Sequence, residues 1–203
     1  MPAPLPSPDG CAVVTMELQR GVVGDLATMD ALRDAAIERD TLQACGRIVD
    51  AARASDVPIV HAQVNWAADR RGTTLNTPLA AALARNPAQI LEGTPAVDPI
   101  PELGDTTDDM VSMRRHGLTP FSGTDLDAIL RSLGVQTVVA IGVSLNVGVL
   151  GLCLSASDLG YRVVVPRDAV VGVPVGYGND VLTHTVAMVA TVTDADGLVA
   201  AWR

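Results

Sequence analysis

Residues 136–160 read QTVVAIGVSLNVGVLGLCLSASDLG. Gln136 to Val143 is an apolar, β-branched run that reads as a buried strand. The string Ser144-Leu145-Asn146-Val147-Gly148 reads as a turn, and residues 146–159 as a helix closed by Gly160, a good C-cap. No charged residue lies between residues 132 and 157, a length that could in principle span a bilayer. Gly134, Gly142, Asn146, Gly148 and Gly151 interrupt the stretch, so the strand and helix of a soluble α/β core are the better expectation.

Outward from this unit, the same alternation recurs. Strands are expected at 12–16 (AVVTM), 58–64 (PIVHAQV), 109–113, 162–166 and, briefly, 191–193 (TVT). Helices are expected at 30–55, at 124–133, and at 179–190 with Asn179 as N-cap. Residues 65–107 are the least regular part, apart from a helix opened by Thr77-Pro78 and running through Ala84. Strands separated by helices imply right-handed crossovers and a doubly wound α/β domain, a parallel sheet with helices on both faces. The Val-rich strands agree, because strands of such a sheet are buried on both sides.

Composition narrows the chemistry. The 203 residues carry a formal net charge of -9, and all 14 basic residues are arginine. The acidic balance argues against nucleic acid and against an anionic membrane surface. The lack of lysine removes Schiff-base and lysine-base mechanisms. Cys11, Cys45 and Cys153 form no CxxC pair, which points to reduced thiols in a cytoplasmic protein. Residues 1–10, proline-rich and without a basic region, read as a flexible tail with no signal peptide, and 11–203 as one domain.

In an open α/β sheet, ligands bind beyond the carboxyl ends of the strands near the switch in strand order. The residues there are Glu17, the triplet His61-Ala62-Gln63, the triplet Arg114-Arg115-His116, and the turn 144–148. A carboxylate after a buried strand is costly unless paired. Arg114 and Arg115 can both supply the partner, and strand alternation sends only one of them inward. Asn146 reads as an N-cap whose helix would turn free N–H groups and a positive end toward the site. Gly148 would let a ligand approach the backbone, or simply relieve packing against the sheet.

The stretches AVVTMELQ, PIVHAQ, PFSGTDLDAILRSLGVQTVVAIGVSLNVGVL and SDLGYRVVVPRDAV resemble the isochorismatase-like hydrolase family of the cysteine hydrolase superfamily. The resemblance implies a six-stranded, mostly parallel, Rossmann-like three-layer sandwich. It also implies an Asp-Lys-Cys catalytic set, here changed to Glu17, Arg115 (six residues before Phe121) and Gly148. Cys153, five residues beyond Gly148, lies roughly 140° further round a helix and does not replace the missing thiol. A thiolate acyl-enzyme is therefore not expected.

The family's true isochorismatases also carry glycine there and cleave a vinyl ether without a covalent intermediate, and NVGVL resembles that branch. The implied site has Glu17 as general acid/base, Arg115 as its charged partner and carboxylate clamp, and the Gly148 turn as an anion pocket. Gln63, Trp66, His116, Ser144, Leu145 and Asn146 would contact the substrate; in the family the peptide after the residue matching Val143 is often cis, and the sequence leaves the Val143–Ser144 bond open. No cofactor is implied, and no metal, since 63–66 (QVNW) lacks the Asp/His cluster of the metal-binding members. The expected partners are a small-molecule substrate and further copies of the chain, as a dimer or tetramer. The alternative is a catalytically inactive member that binds a metabolite or serves as a structural subunit, with a site plugged by Leu145, Trp66 or Arg20.

Overall fold

The structure is a computed structural model, described for residues 4–85 and 90–203. The Val-rich segments form a single parallel sheet: β1 (Cys11–Met16), β2 (Ile59–Val64), β3 (Met110–Arg114), β4 (Thr137–Val143), β5 (Arg162–Pro166), β6 (Val170–Val171) and β7 (Thr191–Thr193). The order is β3-β2-β1-β4-β5-β7, with β6 continuing the edge of β4 beyond β5. The sheet therefore has seven strands, not six. The extra one, β6, spans two residues and is too short to show as a periodic signal.

The helices are α1 (Asp30–Glu38), α2 (Thr41–Ala54), α3 (Pro78–Leu83), α4 (Leu126–Ser132), α5 (Leu150–Asp158), α6 (Val175–Val181), α7 (Ala187–Val189) and α8 (Ala195–Ala201). On one face Leu32, Ile48 and Leu198 pack against Val13, Ile59 and Ile141; on the other Leu130, Leu152 and Val186 pack against Val14, Val60 and Ala140.

Two helix expectations are corrected, and one further helix is added. The segment 30–55 is two helices, because Asp40 adopts a left-handed backbone (φ 52°) within the polar run Glu38-Arg39-Asp40, where nothing apolar holds the turn to the core. The helix expected from Asn179 begins at Val175 with Pro174 at the N-cap, its first turn disguised by Gly176 and Gly178. The helix α8 was not anticipated, although Asp194 caps it by accepting from the Gly197 N–H at 2.8 Å. Thr77 caps α3 as expected, accepting from the Ala80 N–H at 3.1 Å.

Residues 1–3 of the expected tail and 86–89 of the irregular segment lie outside the described residues. The rest of the tail is tied down: Leu5 packs on the core, and the Gly10 carbonyl accepts from the Gln136 and Thr137 N–H groups. No helix among the described residues is long and apolar enough to cross a membrane.

A buried polar chain crosses the sheet. His61 accepts from the Thr15 hydroxyl at Nδ1 (2.8 Å) and donates from Nε2 to Asp109 Oδ2 (3.0 Å), which Arg53 also holds at 2.6 Å. Burial pushes the His61 imidazole below its ordinary value, although Asp109 pulls the other way. Unfolded histidine takes up its proton from about pH 6.5 downward, whereas the folded side chain resists until a lower pH. Stability contributed by neutral His61 is thus present above about pH 6.5 and declines as the pH falls toward the folded value. The thermal midpoint should drop between pH 7.5 and 5.5, with a shallower slope in His61→Gln; identical slopes would place the pH sensitivity elsewhere.

Candidate active site

The chain leaves β1 toward β2 on one side and enters β4 on the other, so the switch in strand order falls between β1 and β4. Glu17 follows β1 directly and takes a left-handed backbone (φ 51°), on the order of 1 kcal/mol unfavourable for a residue with a Cβ. Its N–H donates to the Ala62 carbonyl at 3.0 Å, and its own carbonyl accepts from Gln19 N–H at 2.8 Å. Gln19 is buried and clamps the loop to β2: its Oε1 accepts from Val64 N–H, and its Nε2 reaches Val64 O, Asn65 Oδ1 and Val97 O. Glu17 is thus aimed by its backbone.

Its charged partner is Arg114, not Arg115. Arg114 sits opposite Val64 in the β2–β3 register, donates from Nη2 to Glu17 Oε1 and from Nε to the Gly117 carbonyl (3.3 Å), and is only 4% exposed. Its Nη1 is buried without a hydrogen-bond partner among the described residues. Arg115, next along the strand, points the other way and pairs with Glu92 at 2.7 Å while its carbonyl accepts from the Thr73 hydroxyl. Counting back from Phe121 selects Arg115. The β3 register selects Arg114, because only alternate side chains face the cavity. Removing either member of a pair buried in this way costs about 3–5 kcal/mol by stranding the other charge.

Glu17 and Arg114 form part of the wall of a cavity of about 220 Å³, which Trp66, His116, Ser144, Asn146 and Gly148 also line. Trp66 lies at the wall under the Arg70 guanidinium (4.3 Å from the ring centroid) and does not fill the space. Two expected contacts are absent from the lining: Gln63 is buried within β2, and Leu145 turns into the core beneath α5. Arg20 is drawn outward by Asp25 (2.8 Å) and Asp98 (3.9 Å). The sequence does not signal the walls contributed by Met29, Leu32, Leu79 and Leu83, on and beside α1 and α3, because apolar side chains carry no chemical signature.

The Val143–Ser144 peptide is cis. Beyond it the chain makes a π-helical turn, Leu145–Val149, that leads into α5. Asn146 is not the N-cap: Ser144 holds that position, and Asn146 accepts from the Ser144 hydroxyl (2.5 Å) and donates to the Val173 carbonyl (3.2 Å), bracing the turn. A Cβ on Gly148 would stand 2.7 Å from Met16 Cε and 3.2 Å from the Val143 carbonyl. The thioether of Met16 therefore occupies the space a side chain at 148 would need.

None of the three cysteines lines the cavity, and all are buried. Burial pushes the Cys153 thiol up to about 12 and raises Cys45 and Cys11 as well, so none presents a thiolate near neutral pH. Among the described residues no group of three or more His, Cys, Asp or Glu side chains is placed to hold a metal ion.

Gly148→Ala should lose about 1–3 kcal/mol through overpacking against Met16, and Met16→Ala about 2–5 kcal/mol through cavity formation. In urea unfolding the double variant should fall short of the summed losses by more than about 0.5 kcal/mol. Strict additivity would mean that Met16 does not compete for that space.

Comparison with known proteins agrees with this architecture. The chain matches the isochorismatase domain over residues 11–197. It is 29% identical over 188 residues to the uncharacterized isochorismatase family protein YecD of Escherichia coli O157:H7, covering 91% of this chain and 92% of that protein. Among solved structures, a cysteine hydrolase from Pseudomonas syringae pv. phaseolicola 1448A superposes with a TM-score of 0.81 at 21% identity, covering 99% and 98% of the two chains. An N-carbamoylsarcosine amidase from Thermoplasma acidophilum gives 0.70 at 26% identity, covering 92% and 96%. With the domain matched across nearly its whole length, the chain belongs to the isochorismatase family.

Proposed function

We propose that the protein is a hydrolase of a small molecule that works without a covalent intermediate, with Glu17 as general acid/base and Arg114 as its charge partner. The observation that carries this reading is the cavity wall itself: it presents a carboxyl and a guanidinium, while the residue of the turn that faces the cavity at 148 is a glycine with no side chain to act as nucleophile. The amidase among the structural neighbours is named for cleavage of a carbon–nitrogen bond. Enol-ether cleavage is the favoured reaction here. A single proton transfer makes an enol ether electrophilic, whereas an amide nitrogen departs only with an activated nucleophile and a second proton donor.

Glu17 as the carboxylic acid gives its proton to the terminal vinylic carbon, and Arg114 stabilises the carboxylate that forms as the oxocarbenium develops. Water adds to the oxygen-bearing carbon of the oxocarbenium and passes a proton back to Glu17. The hemiketal C–O bond then breaks as Glu17 protonates the departing oxygen and regains the hydroxyl proton, releasing an alcohol and a ketone. Oε1 is engaged by Arg114, and Oε2 has no partner among the described residues, which suits it to the proton exchange. Trp66, His116, Ser144 and Asn146 border the substrate, and Gly148 lets it approach the turn. The open cavity favours this reading over a scaffold plugged by Leu145, Trp66 or Arg20. In the same reading the protein works as a homo-oligomer in the reducing cytoplasm, in keeping with its three free buried thiols.

Against a panel of enol ethers, Glu17→Gln should lower kcat/KM by about 10²–10⁴-fold, the usual range for a lost general acid or base. Arg114→Lys should lower it substantially, and Arg115→Ala by less than about threefold, since Arg115 serves the rim through Glu92. Equal rates for wild type and Glu17→Gln would remove Glu17 from the reaction.

A further inference from the structure

Two guanidinium nitrogens at this end of the sheet are buried without a hydrogen-bond partner among the described residues. One is Arg114 Nη1, on a side chain of the cavity wall whose Nη2 holds Glu17. The other is Nη1 of Arg70, whose guanidinium stands 4.3 Å from the ring centroid of the cavity-lining Trp66. On the rim Arg115 and Glu92 offset each other, and the imidazole of His116 is exposed at the lining. Among the described residues the lining holds one carboxyl group to set against the two arginines, that of Glu17. The surplus charge favours an anion while Glu17 is ionised, and favours it more once Glu17 carries the proton that a general acid needs.

Nη1 and Nη2 belong to one guanidinium, so a ligand carboxylate accepting from Nη1 lies within about 4–6 Å of the Glu17 carboxyl. At that separation, in a site drawn away from water, two carboxylates resist ionising together, and one of them takes up a proton. The effect is mutual: the anion favours protonated Glu17, and protonated Glu17 favours the anion by the same factor. The charge of Arg70 strengthens the hold on the anion and leaves the sign of this coupling unchanged. Size adds a limit. A cavity of about 150 Å³ holds benzene, so one of about 220 Å³ has room for a single ring bearing one acidic group.

We infer that this site takes a ligand with an acidic group on Arg114, and that the ligand's arrival drives a proton onto Glu17, so that the substrate arms its own acid. The inference deepens the hydrolytic reading and rests on it for the use made of the proton. The clamp role expected for Arg115 passes to Arg114.

The test is calorimetry in buffers of differing ionisation enthalpy, which reads the protons taken up per ligand bound. The probe is benzenesulfonate, an anion too weakly basic to carry the proton itself, and benzamide is the uncharged control. The background is His116→Gln, because an anion would also draw a proton onto that exposed imidazole. At about pH 6, where carboxylates are ordinarily ionised, benzenesulfonate should bind with uptake of at least about half a proton. Its affinity should rise at least about threefold from about pH 6.5 to about pH 5.5, while benzamide shows no uptake and a change of less than about twofold. Adding Glu17→Gln should abolish the uptake and, at about pH 8, raise benzenesulfonate affinity at least about tenfold, since the like charge is gone.

No binding of benzenesulfonate, no uptake, uptake that persists with Glu17→Gln, or equal uptake with benzamide would each overturn the inference. If Glu17→Gln fails to fold, the contrast between the two probes in His116→Gln decides the matter. Uptake of the expected size without turnover of any enol ether would uphold the coupling and remove the hydrolytic reading. Turnover of an enol ether with no uptake would do the reverse.

Discussion

One ion pair ties the edge of the sheet to its centre. Arg114 leaves β3, Glu17 follows β1, and β2 runs between them, so the two backbones are about two strand spacings, or roughly 9.5 Å, apart. Only long side chains close that gap. A guanidinium and a glutamate do so together, and their length fits a pair that must meet over an intervening strand. Because Arg114 is almost wholly buried, the pair holds the cavity wall in one arrangement.

Around the pair, the supporting contacts are mostly backbone and amide. Gln19 binds both the N–H and the carbonyl of Val64, fastening the loop after β1 to the end of β2. The left-handed backbone at Glu17 is held by hydrogen bonds on both of its sides. Asn146 performs the same service for the turn after β4, linking it to Val173 ahead of α6. That end of the sheet is thus laced by two polar side chains, Gln19 and Asn146, each joining two segments, and the apolar cavity wall is assembled on that frame.

The strands were legible in the sequence because a parallel sheet buries both faces, and a run such as TVVAIGV fits little else. Glu17, Trp66 and the 144–148 turn were legible as well, since ligands gather at strand ends near the switch in strand order. What escaped was set by register and local backbone. Whether Arg114 or Arg115 turns inward depends on the pairing of β3 with β2, and counting from Phe121 through a loop cannot supply that. The break at Asp40 depends on one left-handed residue in an otherwise helical pattern. The occupation of the Gly148 space by Met16 joins two residues far apart in sequence, neither unusual alone.

That last contact couples two positions far apart in the chain. A side chain added at 148 needs the Met16 thioether to move aside, and a shortened residue at 16 leaves a hole against the glycine. The thioether thus acts as a movable plug at the floor of the turn, so that the room beside residue 148 is set by the rotamer of a residue on the neighbouring strand.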